Sequence, residues 1–177
     1  MHKFYERLKN TKWLRKFIQI DIWVSDFLEG RFRKHKRLQW LLFKYANLFF
    51  VLVLVITGAL IYRYGYIRIL DLLIFLAVAY VLERFVKPFF GRLRPFFLDG
   101  ALPIQYTKNY SFPSTHSFMA GWVVGYWWLL GLPFAEVITV LGVIVALSRV
   151  LLNIHFVSDV ICGFLIGIGI SLIANIV

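Results

Sequence analysis

Apolar residues in this chain come in long blocks rather than in strict alternation, and brief polar interruptions separate the blocks. Five blocks approach the roughly twenty residues a helix needs to cross a bilayer. They are Leu41–Tyr62, Ile67–Val86, Ser117–Leu130, Phe134–Leu152 and Phe156–Val177. The third is short, and its helix is expected to begin nearer Ser114. Short joints such as "RYGY" and "GLP" favour antiparallel neighbours. The exception is Lys87–Pro113, a long Pro/Gly/polar excursion of the kind that usually carries function. Ahead of the blocks, "FIQIDIWVSDFL" (17–28) is too short to cross and carries Asp21 and Asp26, so it reads as an interfacial helix. The pattern predicts an all-α integral-membrane bundle of about five transmembrane helices, or six if Trp13–Leu28 forms an irregular crossing. A basic interfacial segment at 1–38 would precede a membrane-embedded domain at 39–177.

Composition supports lipid as the solvent. The 177 residues are 60% hydrophobic, above the usual half of a soluble domain. The single cysteine, Cys162, excludes an internal disulfide or a Cys-based zinc site. A net charge of +11 raises the possibility of nucleic acid, but position argues against it. Eleven of the twenty Lys/Arg fall in Met1–Leu38, interleaved with Trp13, Phe17, Ile20, Trp23 and Phe27. That mixture suits the anionic headgroups of a bilayer, and no nucleic-acid partner is expected. No cleavable leader is expected either, since no apolar stretch with a small-residue cleavage site follows the basic start.

Three polar clusters remain: "KPFFGRLRP" (87–95), "PSTH" (113–116) and "SRVLLNIHFVSD" (148–159). The first ends the second block, the second opens the third, and the last joins the fourth to the fifth. Following the blocks through a bilayer brings all three to one face. Ionisable groups at such a rim are usually kept for chemistry or transport. Lys87, Arg92, Arg94 and Arg149 suit an anion with several oxygens, above all phosphate. Ser114 is a good N-cap, which would leave the amides of Thr115, His116 and Ser117 free to bind phosphate oxygens. Pro95 biases Arg94 toward extended backbone and so places it at the rim. His155 and Asp159, four apart, share a face if the fifth helix has begun there. A carboxylate on one ring nitrogen leaves the other as base or nucleophile, and His116 on another helix is positioned to act as acid.

These residues resemble the signature of the type 2 phosphatidic acid phosphatase (PAP2) superfamily: Lys-x6-Arg-Pro, Pro-Ser-Gly-His and Ser-Arg-x5-His-x3-Asp. Here the motifs stand as Lys87…Arg94-Pro95, Pro113-Ser114-Thr115-His116 and Ser148-Arg149…His155…Asp159. The resemblance implies that His155 attacks phosphorus and becomes a phosphohistidine, that Asp159 orients it, and that His116 is the acid for the leaving oxygen. It implies a phosphate cradle of Lys87, Arg94, Ser114, Thr115 and Arg149, with no metal or other cofactor and with vanadate as a phosphate mimic. The implied substrate is a phosphorylated lipid, which would be lipid A 1-phosphate, phosphatidylglycerol phosphate, undecaprenyl pyrophosphate or phosphatidic acid. Thr115 departs from the family glycine; it is tolerable if it already lies in the first helical turn.

Blander readings apply elsewhere. Arg84 and Arg92 read as a snorkelling anchor and a headgroup contact. Ser148 either serves the motif or bonds to backbone. Lys44, Asn47, Asp71, Glu83 and Glu136 read as interfacial or interhelical polar groups, and Trp122, Trp127 and Trp128 as belt or packing residues. Two rival functions stand beside the lipid phosphatase: a phosphatase of soluble esters and a transporter. The latter predicts polar residues throughout the blocks, whereas here they gather at one rim. The resemblance implies a multi-pass protein of the bacterial inner membrane with its site on the extracytoplasmic (periplasmic) face. An odd number of crossings puts the basic N-terminal segment on that same face, where the positive-inside rule would not send it.

Overall fold

In the computed structural model the described residues are 12–64, 69–98 and 110–174. Among them every regular element is helical. The elements are α1 (Lys12–Phe32), α2 (Lys36–Tyr64), α3 (Ile69–Val81), α4 (Lys87–Phe90), α5 (Pro95–Leu98), α6 (Thr115–Leu129), α7 (Ala135–Leu151) and α8 (Val157–Ala174). A π-helical turn, Leu82–Val86, joins α3 to α4 without a break, so one rod runs from residue 69 to residue 90. Gly91 then ends it in the left-handed conformation, φ 61°, with its N–H donating to the Lys87 carbonyl. That is the usual glycine stop, and 91–94 run without regular structure before Pro95 opens α5.

The apolar blocks thus become helices close to their predicted limits. The third begins at Thr115, as its shortness suggested. The interfacial segment is longer than 17–28 and occupies 21 residues. Residues 1–11, which carry the start of the basic segment, lie outside the described residues, as do 99–109 in the long connection and the Asp71 side chain.

Both apolar and charged side chains are buried, while many large apolar side chains face outward. Phe118, Trp122, Val123 and Val145 form the packed centre, with Phe75 stacked on Phe118 and tilted against Trp122 at a centroid distance of 4.4 Å. The same interior holds Lys87, Arg92, Arg94, Ser114, Arg149, His155 and Asp159, all buried. Leu48, Leu76, Val140, Leu147, Leu165 and Ile173 face outward. Among the described residues no helix is long and apolar enough to cross a membrane. This corrects the expectation that each block is by itself a full crossing: α3, α6 and α7 have 13, 15 and 17 residues.

The α6–α8 seam positions the site. Gly163 and Gly167 of α8 lie against α6 so closely that an added Cβ would strike the carbonyls of Ser114 and Phe118. Small residues permit such an approach. It brings the two helix starts side by side, and the Ser114 N–H donates to the Asp159 carbonyl at 3.0 Å.

Candidate active site

His155 stands in the turn between α7 and α8. The chain leaves α7 at Leu152, and Asn153 takes the left-handed conformation at φ 57°, which Asn tolerates better than most residues. The amides of Ile154 and His155 then both donate to the Arg149 carbonyl at 3.1 Å, fixing the turn on the last cation of α7. His155 is therefore not on the α8 face that its spacing to Asp159 suggested. The two still meet, with Nδ1 3.6 Å from Oδ2. Asp159 lies in the first turn of α8 and reaches back to accept the Phe156 N–H at 2.9 Å, one arm of a capping box. The spacing of histidine to aspartate is thus that of a turn residue to a helix cap.

Cations surround the ring. Arg94 Nη1 lies 3.1 Å from His155 Nε2 and 3.2 Å from the Ile154 carbonyl. An arginine can only donate, so Nε2 is the accepting nitrogen and the ring proton sits on Nδ1, toward Asp159. Burial, with Arg94, Lys87 and Arg149 facing it, holds the His155 pKa well below the ordinary imidazole value. The ring is neutral at neutral pH, with a lone pair on Nε2. His116, second residue of α6, lies within electrostatic reach of Arg149, His155, Lys87 and Arg94. Ser114 is fully buried and caps α6, its Oγ accepting the Ser117 N–H at 3.4 Å. The three clusters predicted to share one face are together.

Thr115 is the first residue of α6, where a Cβ is no burden. Its hydroxyl donates to Glu83 Oε1, which also accepts from Lys87 Nζ at 2.6 Å. Glu83, read as an interfacial or interhelical polar group, does bond between helices, and its two partners are residues expected in the phosphate cradle. Ser148 donates to the Val145 carbonyl at 2.6 Å, the backbone role of its two readings.

Sequence reasoning missed a second layer. Arg92, read as a headgroup contact, is buried over the Phe156 ring at 4.0 Å. Its Nη1 donates to Asp159 Oδ1 and to Ser158 Oγ, both at 2.7 Å, and its Nη2 to Asp21 Oδ2 at 2.6 Å. Asp21 is itself buried and accepts the Ser158 N–H at 2.9 Å. The only sequence signal was an acidic pair inside an apolar amphipathic segment, which carries no hint of a partner at residue 92.

The PAP2 superfamily model matches residues 68–177. Over 136 residues the chain is 34% identical to phosphatidylglycerophosphatase B of Bacillus subtilis (strain 168), a match covering 70% of this chain and 64% of that protein. The chain thus matches less than two thirds of the length of this curated relative. The crystal structure of a transmembrane PAP2 type phosphatidylglycerolphosphate phosphatase from Bacillus subtilis superposes with a TM-score of 0.70. Identity there is 24%, over 97% of this chain and 90% of the other, which establishes the fold.

Proposed function

Because the chain belongs to the PAP2 superfamily, we propose that it is a membrane lipid phosphatase working through a phosphohistidine. The observation that carries this reading is His155, buried, with a carboxylate 3.6 Å from Nδ1 and a guanidinium 3.1 Å from Nε2. A phosphate monoester entering the cradle draws Arg94, Lys87 and Arg149 onto its oxygens and frees the Nε2 lone pair. Nε2 attacks phosphorus, the P–O bond to the lipid breaks, and His116, protonated once the phosphate dianion offsets the cations around it, gives its proton to the leaving oxygen. Asp159 stabilises the positive charge that develops on the ring. In the second step His116 takes a proton from water, the water oxygen bonds to phosphorus, and the P–N bond returns its electrons to His155. The cations and the amides at the start of α6 stabilise the charge on the transferring phosphoryl group.

Lipid is the favoured substrate because the helices turn apolar side chains outward, the arrangement a bilayer requires. The rod from residue 69 to residue 90 is long enough to cross once α3, the π turn and α4 are taken as one. Phosphatidylglycerol phosphate is the first candidate, since the matched relatives are named as its phosphatases; nothing comparable favours lipid A. The chain then sits in the inner membrane with the site at the extracytoplasmic rim. The test is phosphate release by the detergent-solubilised protein from phosphatidylglycerol phosphate, undecaprenyl pyrophosphate, lipid A 1-phosphate, phosphatidic acid and a short soluble ester. Expected is preference for a long-chain lipid, with activity retained in EDTA and lost in vanadate. Preference for the soluble ester, or a strict magnesium requirement, overturns the reading.

A further inference from the structure

The buried contacts of Asp21 and Arg92 form a chain that ends on the proposed catalytic carboxylate. Arg92 is shared between two carboxylates: Nη1 serves Asp159 Oδ1 at 2.7 Å and Nη2 serves Asp21 Oδ2 at 2.6 Å. Ser158, the neighbour of Asp159, ties the same groups together. Its N–H donates to Asp21 Oδ1 at 2.9 Å, its hydroxyl donates to Asp21 Oδ2, and that hydroxyl accepts from Arg92 at 2.7 Å. Ser25, one turn after Asp21, donates to the Asp21 carbonyl and accepts the Val157 N–H at 3.1 Å. Helix α1 therefore grips the first turn of α8 at residues 157 and 158 and supplies a counter-charge to the arginine that binds Asp159.

That counter-charge has a chemical consequence. An arginine bonded to Asp159 alone would neutralise it and weaken its pull on His155. Asp21 takes half of the guanidinium, so Asp159 keeps negative charge for the Nδ1–H of His155 while its orientation is fixed by Arg92 and the Phe156 N–H. We propose that Asp21 and Arg92 are positioning residues for the phosphatase reaction: Arg92 orients Asp159, and Asp21, delivered by α1, keeps Arg92 from quenching it. The assignment rests on the phosphohistidine reading of His155 and Asp159, and it makes the amphipathic N-terminal helix a working part of the site rather than only a surface anchor.

The test compares Asp21→Asn, Arg92→Gln, Arg92→Lys and the double variant Asp21→Asn/Arg92→Gln, each purified and confirmed as folded by its melting transition. Expected for Asp21→Asn and Arg92→Gln is a fall in kcat of about tenfold or more with KM within about threefold of wild type. The double variant is expected to lose less than the product of the two single losses, because the residues act on one carboxylate. Arg92→Lys should recover part of the Arg92→Gln loss.

A second readout does not depend on turnover: the titration midpoint of His155, followed by NMR of labelled histidine. Around the ring stand Lys87 of α4, Arg94, His116 of α6, Arg149 of α7 and Asp159 of α8, while Arg92 and Asp21 of α1 act through Asp159 and Glu83 through Lys87. Removing the negative charge of Asp21 disfavours the imidazolium, so the midpoint moves down. Removing the positive charge of Arg92 moves it up. Opposite movements support the proposal. Midpoints that do not move, with kcat lost only as folded protein is lost, overturn it. A wild type inactive on every substrate defeats the phosphatase reading, while the titrations still decide whether Asp21 and Arg92 control the His155–Asp159 pair.

Discussion

His155 and Glu83 carry opposite lessons about single residues. The placement of the histidine beside Asp159 was legible because it is written locally, in a turn that hands directly to a capping aspartate. His155→Ala is expected to lower kcat about a thousandfold or more with the melting transition retained. His116→Ala should cost about a hundredfold or more, and most for poor leaving groups. The depressed pKa fixes the sign of the pH dependence. In the proposed reaction the neutral ring is the nucleophile, and it stays neutral as pH falls through the ordinary imidazole value of 6.5, so the acid limb of kcat/KM lies below that value. An acid limb at or above it, or turnover by His155→Ala, contradicts the assignment. Glu83 was illegible because its partners come from two places, one turn on in the same rod and at the start of α6. Its carboxylate bonds Lys87 Nζ at 2.6 Å, the ammonium that a phosphate oxygen would also take in the proposed reaction. Glu83→Gln should therefore tighten vanadate inhibition by about two- to fivefold, the range of a part-exposed ion pair. Weaker inhibition would mean that Glu83 holds Lys87 in its working position instead.

Helices were read from apolar blocks, and their limits held because Ser114, Gly91 and Pro95 are punctuation that acts within a few residues. What the blocks did not reveal was depth. The π turn at Leu82–Val86 adds a residue to one turn of the rod, and periodicity alone does not register it. The closeness of α6 and α8 was equally hidden, since glycines in an apolar run look like filler. Their spacing sets the register between Ser114 and Asp159, so the seam is sensitive to a single methyl. Gly167→Ala is expected to destabilise the fold by about 1–3 kcal/mol, because the new Cβ meets backbone at Phe118 and Trp122 that has no room to yield. Gly169→Ala, with nothing within 4 Å of its Cβ, is the control and should melt like wild type. Equal melting of the two variants would show that the seam relaxes.

The molecule buries Lys87, Arg92, Arg94 and Arg149 and turns many apolar side chains outward, and counting helix ends around a bilayer was enough to gather the three motifs in advance. The same count placed the N-terminal segment on the site face, and α1 does bond to the first turn of α8. Basic charge then opposes the expected orientation, a conflict composition cannot resolve. Single cysteines at Asn10 and Gln105 in a Cys162→Ser background, probed in intact cells with an impermeant thiol reagent, decide it. Labelling of both is expected for an outward site. Protection of both puts the site in the cytoplasm, and protection of position 10 alone reveals a further crossing.

The grip of α1 on α8 also has a history. Asp21 bonds to Ser158 across 137 residues of chain, so the first helix described here waits for the last. Ribosomes add about 5–20 residues per second, which leaves that carboxylate without its final partners for roughly seven to twenty-seven seconds of synthesis. Throughout that interval the nascent protein has neither His155 nor the clamp around it. Assembly of the pocket is therefore a late event, completed only when α1 and α8 find each other, and a chain still short of residue 158 lacks the contacts that hold Asp159.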